Sequence, residues 1–221
     1  MPSIPVIAID GPSASGKGTV AARLAKALGF HYLDSGALYR LVTLAALRAG
    51  TDLGDEAALA RVAAEMDVAF RGDSIWLDGN DVAVDLRTEE VGAAASRVAA
   101  RPGVREVLLR RQRAFRRLPG LVADGRDMGS IVFPDAPLKV FLTADVATRS
   151  ERRYKQLMEK GMYAKMGDVV EELRLRDERD ISRPVAPLKH YPDAVFLDTS
   201  GLTVEQAVEK ILGWWRERSR G

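Results

Sequence analysis

IAIDGPSASGKGT, residues 7–19, is the stretch on which the reading of this chain turns. An apolar run ends at Asp10, and five small residues and one proline fill the six positions before Lys17. Beyond it Val20, Leu24, Ala27 and Leu28 recur at three-to-four spacing, so the stretch reads as strand, loop and helix, with Gly29 as the stop. Gly11, Pro12, Ser13, Ala14, Ser15, Gly16, Lys17, Gly18 and Thr19 have the spacing of a phosphate-binding loop. The glycines let the backbone turn its N–H groups inward, the helix N-terminus adds its positive end, and Lys17 supplies a cation for β and γ phosphates.

Further strand-like runs lie at 5–9, 30–33, 121–123, 138–142 and 194–197, with helical patterns between them. One such helix carries Leu38, Leu41, Val42, Ala45 and Ala46 and closes at Gly50. Strands alternating with helices predict an α/β fold with a five-stranded parallel sheet flanked by helices. A parallel crossover needs only about a dozen residues, yet the second and third strands are much further apart, so a domain is inserted there. Within it, VAFRGDSIWLDGNDVAV (residues 68–84) predicts a small antiparallel meander with turns at Gly72-Asp73 and Gly79-Asn80. A charged helical stretch over 145–183 is a candidate lid, with a solvated helical pair as the alternative. The chain divides as 1–34, core with the loop; 35–102, insertion; 103–144, core; 145–183, lid region; and 184–221, core. The last helix opens with Thr203, Val204, Glu205 and Gln206, a capping box, and its Trp214 and Trp215 read as packing residues.

Composition removes several classes. At 221 residues, 47% hydrophobic and 29% charged, the chain has enough apolar residues for a substantial core and is neither disordered nor collagen-like. It has no cysteine, which excludes disulfides and cysteine-ligated zinc, and only two histidines, His31 and His190, which read as surface or packing residues. No apolar run approaches the roughly 20 residues of a membrane span, and the N-terminus lacks a signal pattern, so the expected location is cytoplasmic. Net charge is +2, but 25 of the 33 basic residues are arginine. The guanidinium fork suits phosphate and carboxylate; genomic codon bias would produce the same skew.

The general loop pattern places Ser or Thr directly after the lysine, where its hydroxyl binds magnesium. Here Gly18 intervenes before Thr19, a form similar to that of nucleoside monophosphate kinases. A direct protein ligand to Mg2+ is therefore not assigned; Asp34 or Asp124 acting through water fits the ion's reluctance to dehydrate. Such an enzyme also holds an acceptor phosphate, at the carboxyl ends of neighbouring strands. LDSGALYR (33–40) offers Ser35, Tyr39 and Arg40 at one such end, and VADGRDMG (122–129) offers Asp124, Arg126 and Asp127 at the next.

Together, GPSASGKGT, LDSGALYR, VREVLLRRQRAF, ADGRDMGSIVFPDAP and RDERDISRPVAPL resemble the successive signatures of the bacterial cytidylate kinases, from about residue 9 to 188. The meander is similar to the enlarged monophosphate-binding domain of the long bacterial form. The resemblance implies a P-loop kinase fold, a (d)CMP kinase activity that converts ATP with CMP or dCMP to ADP with CDP or dCDP, magnesium with ATP, and a monomer. It further implies that Arg40, Arg126 and Arg183 grip the acceptor phosphate, that Ser96, Arg105 and Asp127 surround the cytosine, and that Arg176 and Asp180 meet the sugar, with Ser35 and Tyr39 lining the pocket. Lys17, Arg126 and Arg183 are the expected catalytic cations. Arg149, Arg152 and Arg153 would close over ATP, with a solvated helix face as the alternative for each.

Two rivals stand beside this reading. RPGVREVLLRRQRAFRR (101–117) holds seven arginines and would suit a nucleic-acid-binding helix; the low net charge and the apolar Val107, Leu108, Leu109 and Phe115 oppose that, and no nucleic-acid or membrane partner is expected. Another small P-loop kinase, acting on UMP, AMP or a non-nucleotide acceptor, would share the loop and differ on the acceptor side.

Overall fold

A computed structural model describes residues 4–71, 74–159 and 161–219. The elements follow the order β1 (Val6–Asp10), α1 (Lys17–Leu28), β2 (His31–Asp34), α2 (Ser35–Arg48), α3 (Glu56–Glu65), β3 (Val68–Arg71), β4 (Ser74–Leu77) and β5 (Asn80–Asp81). After a short turn, Asp85–Arg87, come α4 (Glu89–Val98), α5 (Pro102–Arg113), β6 (Leu121–Gly125), a wide helical turn Met128–Val132, β7 (Leu138–Thr143), α6 (Val146–Glu159), α7 (Met166–Ser182), β8 (Val195–Asp198) and α8 (Val204–Arg218). The chain forms two compact units, Met1–Leu33 with Phe115–Gly221, and Asp34–Ala114.

The first unit is built on a five-stranded parallel sheet of order β2-β6-β1-β7-β8. Val6, Ile7, Ala8 and Ile9 of the central strand have no solvent exposure, which is why β1 reads as an unbroken apolar run and not as an alternation. β1 pairs in parallel with β6 on one side and β7 on the other, placing Asp10 opposite Gly125 and Phe141. The loop that follows β1 therefore emerges at the carboxyl edge between two strands, where doubly wound sheets bind ligands. Leu24 of α1, Val122, Val140, Leu142 and Ile211 of α8 share one core with Ile7 and Ile9, and Trp214 and Trp215 pack against it as expected. Trp215 meets Phe30 edge-on, with ring centroids 5.9 Å apart. The Thr203–Gln206 capping box forms in both directions.

In the second unit α2 packs on α4 and α3 on α5. The unit runs through Ala114, past the expected boundary at 102, because Val104 and Leu108 of α5 are completely buried in it. β3, β4 and β5 form the antiparallel meander. Its first turn, at Gly72-Asp73, lies outside the described residues. The second is corrected by one position: it is Asp78-Gly79, not Gly79-Asn80. Asp78 (φ 48°) and Gly79 (φ 79°) both adopt left-handed backbone, which a two-residue hairpin turn of this hand requires, and Asn80 already pairs with Leu77.

Leu24 is fully buried beneath the loop-bearing helix. Leu24→Ala is expected to lower unfolding free energy by about 2–5 kcal/mol, read as a fall in the urea midpoint at unchanged slope.

Candidate functional site

The loop between β1 and α1 owes its path to close approach and unusual backbone. A Cβ on Gly11 would lie 1.9 Å from the Leu142 carbonyl oxygen, so only glycine lets the chain leave the sheet here. Ala14 (φ 58°) and Gly16 (φ 89°) take left-handed backbone, a pattern that gathers successive N–H groups into an anion-binding concavity. Lys17 is buried and its Nζ donates to the Pro12 carbonyl at 3.1 Å, drawing the ammonium back across the loop. Two further loop carbonyls are held by arginines. Arg149, 4% exposed, donates to Ser13 O at 3.2 Å and to Ala144 O at 3.0 Å, and pairs with Asp177 at 2.7 Å. Arg152 donates to Ser15 O at 2.9 Å and to Thr199 O at 2.7 Å, while the Thr199 hydroxyl donates to Ser15 O at 3.2 Å. Gly18 is partly exposed, and the side chain of Thr19 faces solvent.

At the end of β6, Arg126 ties the loop to α7. Its Nε donates to Asp180 at 2.6 Å and a terminal nitrogen donates to the Ser13 hydroxyl at 2.9 Å. Burial alone would raise the Asp180 carboxyl, but the charge and hydrogen bond of Arg126 outweigh it, aided by Arg183 and Lys17, and hold it below the ordinary range. Burial likewise opposes the charge on Arg126, and Asp180 more than restores it. Arg153 and Arg176 are pushed down, first by burial; Arg176 adds its like charge at Arg153, Arg126 adds its own at Arg176, and Glu172 works against both shifts. Arg176 donates to Glu172 at 3.2 Å. Arg183 is buried and donates to the Ala186 carbonyl. Partly desolvated, mutually repelling cations of this kind gain from an anion placed among them. Asp127 is buried at the start of the turn that follows.

In the second unit, Asp34 caps α2 by accepting from the Ala37 N–H at 3.0 Å. Ser35 and Tyr39 are buried on α2, and Ser96 is half-buried on α4. Arg105 is buried and donates to the Tyr39 hydroxyl and to Ala99 O, both at 3.3 Å. Arg40 donates to Leu86 O at 2.8 Å and lies across Gly92, where a Cβ would come within 3.0 Å of the guanidinium. Glycine at position 92 is thus what lets Arg40 lie flat on α4. The basic stretch 101–117 is partly used internally: Arg111 donates to Ala64 O and Met66 O, both at 2.8 Å, and Arg116 to Ile4 O at 2.7 Å.

Asp124 is buried, accepts from the Tyr32 hydroxyl at 2.6 Å, and sits beside the loop, since a Cβ on Gly18 would be 3.5 Å from its Oδ2. Oxygen donors suit Mg2+. Among the described residues no group of three or more His, Cys, Asp or Glu side chains gathers, so a metal here would rely on phosphate and water for most of its ligands. No described helix is long and apolar enough to cross a membrane. Residues that sequence reasoning missed are Asp10, Tyr32, Gly92, Asp177 and Thr199. For Asp177 a signal existed, the i, i+3 spacing to Asp180 in RDERDISRPVAPL; Gly92 carried none.

A parallel sheet of this order, with a glycine-rich loop and lysine between β1 and α1, defines the class: a P-loop kinase-type nucleotide-binding protein. The family profile described as Cytidylate kinase matches residues 7–217. The cytidylate kinase of Chromobacterium violaceum is 57% identical over 216 residues, covering 98% of this chain and 97% of that protein. That of Bordetella bronchiseptica is 60% identical over 212 residues, covering 96% and 95%. An uncharacterized protein from Eubacterium ventriosum shares the fold, with a TM-score of 0.53 at 13% identity over 95% of this chain and 97% of that one. This chain belongs to the cytidylate kinase family.

The depressed Asp180 stabilises the folded chain above the unfolded carboxyl value of 3.8, and that contribution disappears as pH falls through its lower folded value. Asp180→Asn is expected to cost about 1–3 kcal/mol at pH 7, with the gap from wild type narrowing towards pH 3 in denaturant titrations.

Proposed function

We infer that this chain transfers the γ-phosphoryl group of ATP to CMP and dCMP, giving ADP with CDP or dCDP. The observation that carries the reading is identity of 57–60% across nearly the whole chain with proteins named as cytidylate kinases. The loop supplies the chemistry such an enzyme needs. Phosphoryl transfer passes through a loose, charge-spread transition state, so the protein acts by positioning and by stabilising charge. The attacking phosphate oxygen is already ionised, and no general base is required.

On the ATP side, the N–H groups of Ser13 to Thr19 receive the phosphates and Lys17 neutralises them. Arg149 and Arg152 maintain the loop's shape through their bonds to Ser13 and Ser15, and Arg153 offers a further cation from α6. Closure of α6 and α7 over the nucleotide excludes water and suppresses hydrolysis. Mg2+ would accompany ATP, with phosphates and water as its ligands and Asp124 or Asp34 acting through water. When bound, it neutralises phosphate charge.

On the acceptor side, Arg40, Arg126 and Arg183 grip the monophosphate, for which the planar guanidinium is better suited than an ammonium. Ser96, Arg105 and Asp127 read the base; Arg176 and Asp180 meet the sugar, and Ser35 and Tyr39 line the pocket. The Asp127 carboxylate accepts from the exocyclic amine of cytosine. Uracil presents a carbonyl there, which leaves the carboxylate unpaired and repelled, a loss large enough to discriminate between the two.

ADP formation from ATP and magnesium is expected with CMP and dCMP and to be weak with UMP, AMP and GMP; turnover with none of the five acceptors would overturn the reading. Lys17→Ala is expected to lower kcat by about a hundredfold or more while leaving the thermal unfolding transition in place. Asp127→Ala is expected to lower kcat/KM for CMP far more than it changes KM for ATP, and equal losses for CMP and UMP would remove its base-reading role.

A further inference from the structure

Asp10 belongs to none of the groups used above, yet its bonding is specific. One carboxylate oxygen accepts the backbone N–H of Met128 and the other that of Gly129, both at 2.8 Å. These are the first two donors of the helical turn Met128–Val132, and the first N–H groups of a helical segment have no partner inside it. The residue in the capping position is Asp127, and its side chain makes no capping bond to the turn. Its backbone oxygen accepts instead from Ile131 N at 2.9 Å and Val132 N at 3.1 Å. The cap is thus supplied by a different strand, from a carboxylate 118 residues away in sequence.

Asp10 is itself firmly placed. It is the last residue of the central strand, registered against Gly125 and Phe141, and the next residue, Gly11, donates its N–H to Gly125 O at 3.3 Å while its α-carbon rests against Leu142 O. The floor of the turn is packed too, because a Cβ on Gly129 would meet the aliphatic stem of Lys139 at 3.2 Å. Charge at Asp10 is kept against opposition: burial above all, with Asp127, raises its carboxyl, the two N–H bonds and Arg126 lower it, and the balance leaves it at about 6. A structural cap alone does not call for an acid so close to a second acid. Its location does, because the two N–H groups it holds directly follow Arg126 and Asp127 in the chain.

We propose that Asp10 is a positioning residue for the acceptor side of the reaction, its carboxylate clamping the Met128 and Gly129 backbone and thereby setting the aim of Arg126 and Asp127. The proposal rests on the reading that those two residues serve the acceptor. Arg126 adds a bond to the Ser13 hydroxyl, but the phosphate loop keeps its other supports, Lys17 on Pro12, Arg149 on Ser13 and Arg152 on Ser15, so loss of the clamp is felt more by CMP than by ATP.

The test is steady-state kinetics of Asp10→Asn beside Asp127→Ala, with ATP and CMP varied in turn. The amide presents one acceptor where the carboxylate presents two, and its NH2 faces a donor. The expected result is a fall in kcat/KM for CMP of about tenfold, the size of one lost charge-assisted hydrogen bond, with KM for ATP changed by less than about twofold. Equal losses towards ATP and CMP would make Asp10 a general support of the loop and overturn the proposal. An unchanged kcat/KM for CMP in Asp10→Asn, with a large fall in Asp127→Ala, would also overturn it while sparing the acceptor-site reading. No change in Asp127→Ala would remove that reading and the proposal together. Should Asp10→Asn fail to fold, amide hydrogen exchange on the wild-type chain decides the clamp: slow exchange at Met128 and Gly129 supports it, and exchange at the rate of an open loop rules it out.

Discussion

A loop that turns its N–H groups inward must turn carbonyls outward, and each buried carbonyl left without a donor carries a penalty of about 1–3 kcal/mol. A set of long-range side-chain bonds in the first unit answers this constraint. Pro12 O is met by Lys17, Ser13 O by Arg149, and Ser15 O by Arg152 and Thr199. The residues that make these bonds come from α1, α6 and the segment after β8, so a loop of nine residues draws distant parts of the chain onto one edge of the sheet. Gly11 is the condition for this, since any side chain there would overlap Leu142 O.

The arginines that support the loop are in turn held by α7. Asp177 pairs with Arg149 at 2.7 Å and Asp180 with Arg126 at 2.6 Å. Three residues apart on a helix, the two acids share one face and act on two arginines that both reach Ser13, one through its carbonyl and one through its hydroxyl. The charge of the loop region is therefore balanced by a helix that belongs to the most charged part of the chain.

The second unit shows the same economy of means by itself. Arg40 is laid on α4 by the absence of a side chain at Gly92 and anchored on Leu86 O; Arg105 is fixed between Tyr39 and Ala99 O. Both guanidiniums are held by hydrogen bonds within the unit.

By itself the sequence determined the fold class, the loop and the cap of α8, because each rests on local spacing: apolar runs of period characteristic of strand or helix, small residues after β1, and Thr203 with Gln206. It also singled out Arg126 and Asp127 as candidates at a strand end, and Asp180 through the family resemblance. The second turn of the meander was placed one residue late, since composition shows a turn but backbone sign decides which two residues form it. Only tertiary structure decided the roles of Asp10, Asp177, Thr199 and Gly92. Each acts across a separation that local periodicity does not encode: Asp10 lies 118 residues from Met128 and Thr199 lies 184 from Ser15. The same holds for Arg149 and Arg152, which as sequence read as cations closing over ATP, with a solvated helix face as the alternative, and as structure donate to the loop's own carbonyls.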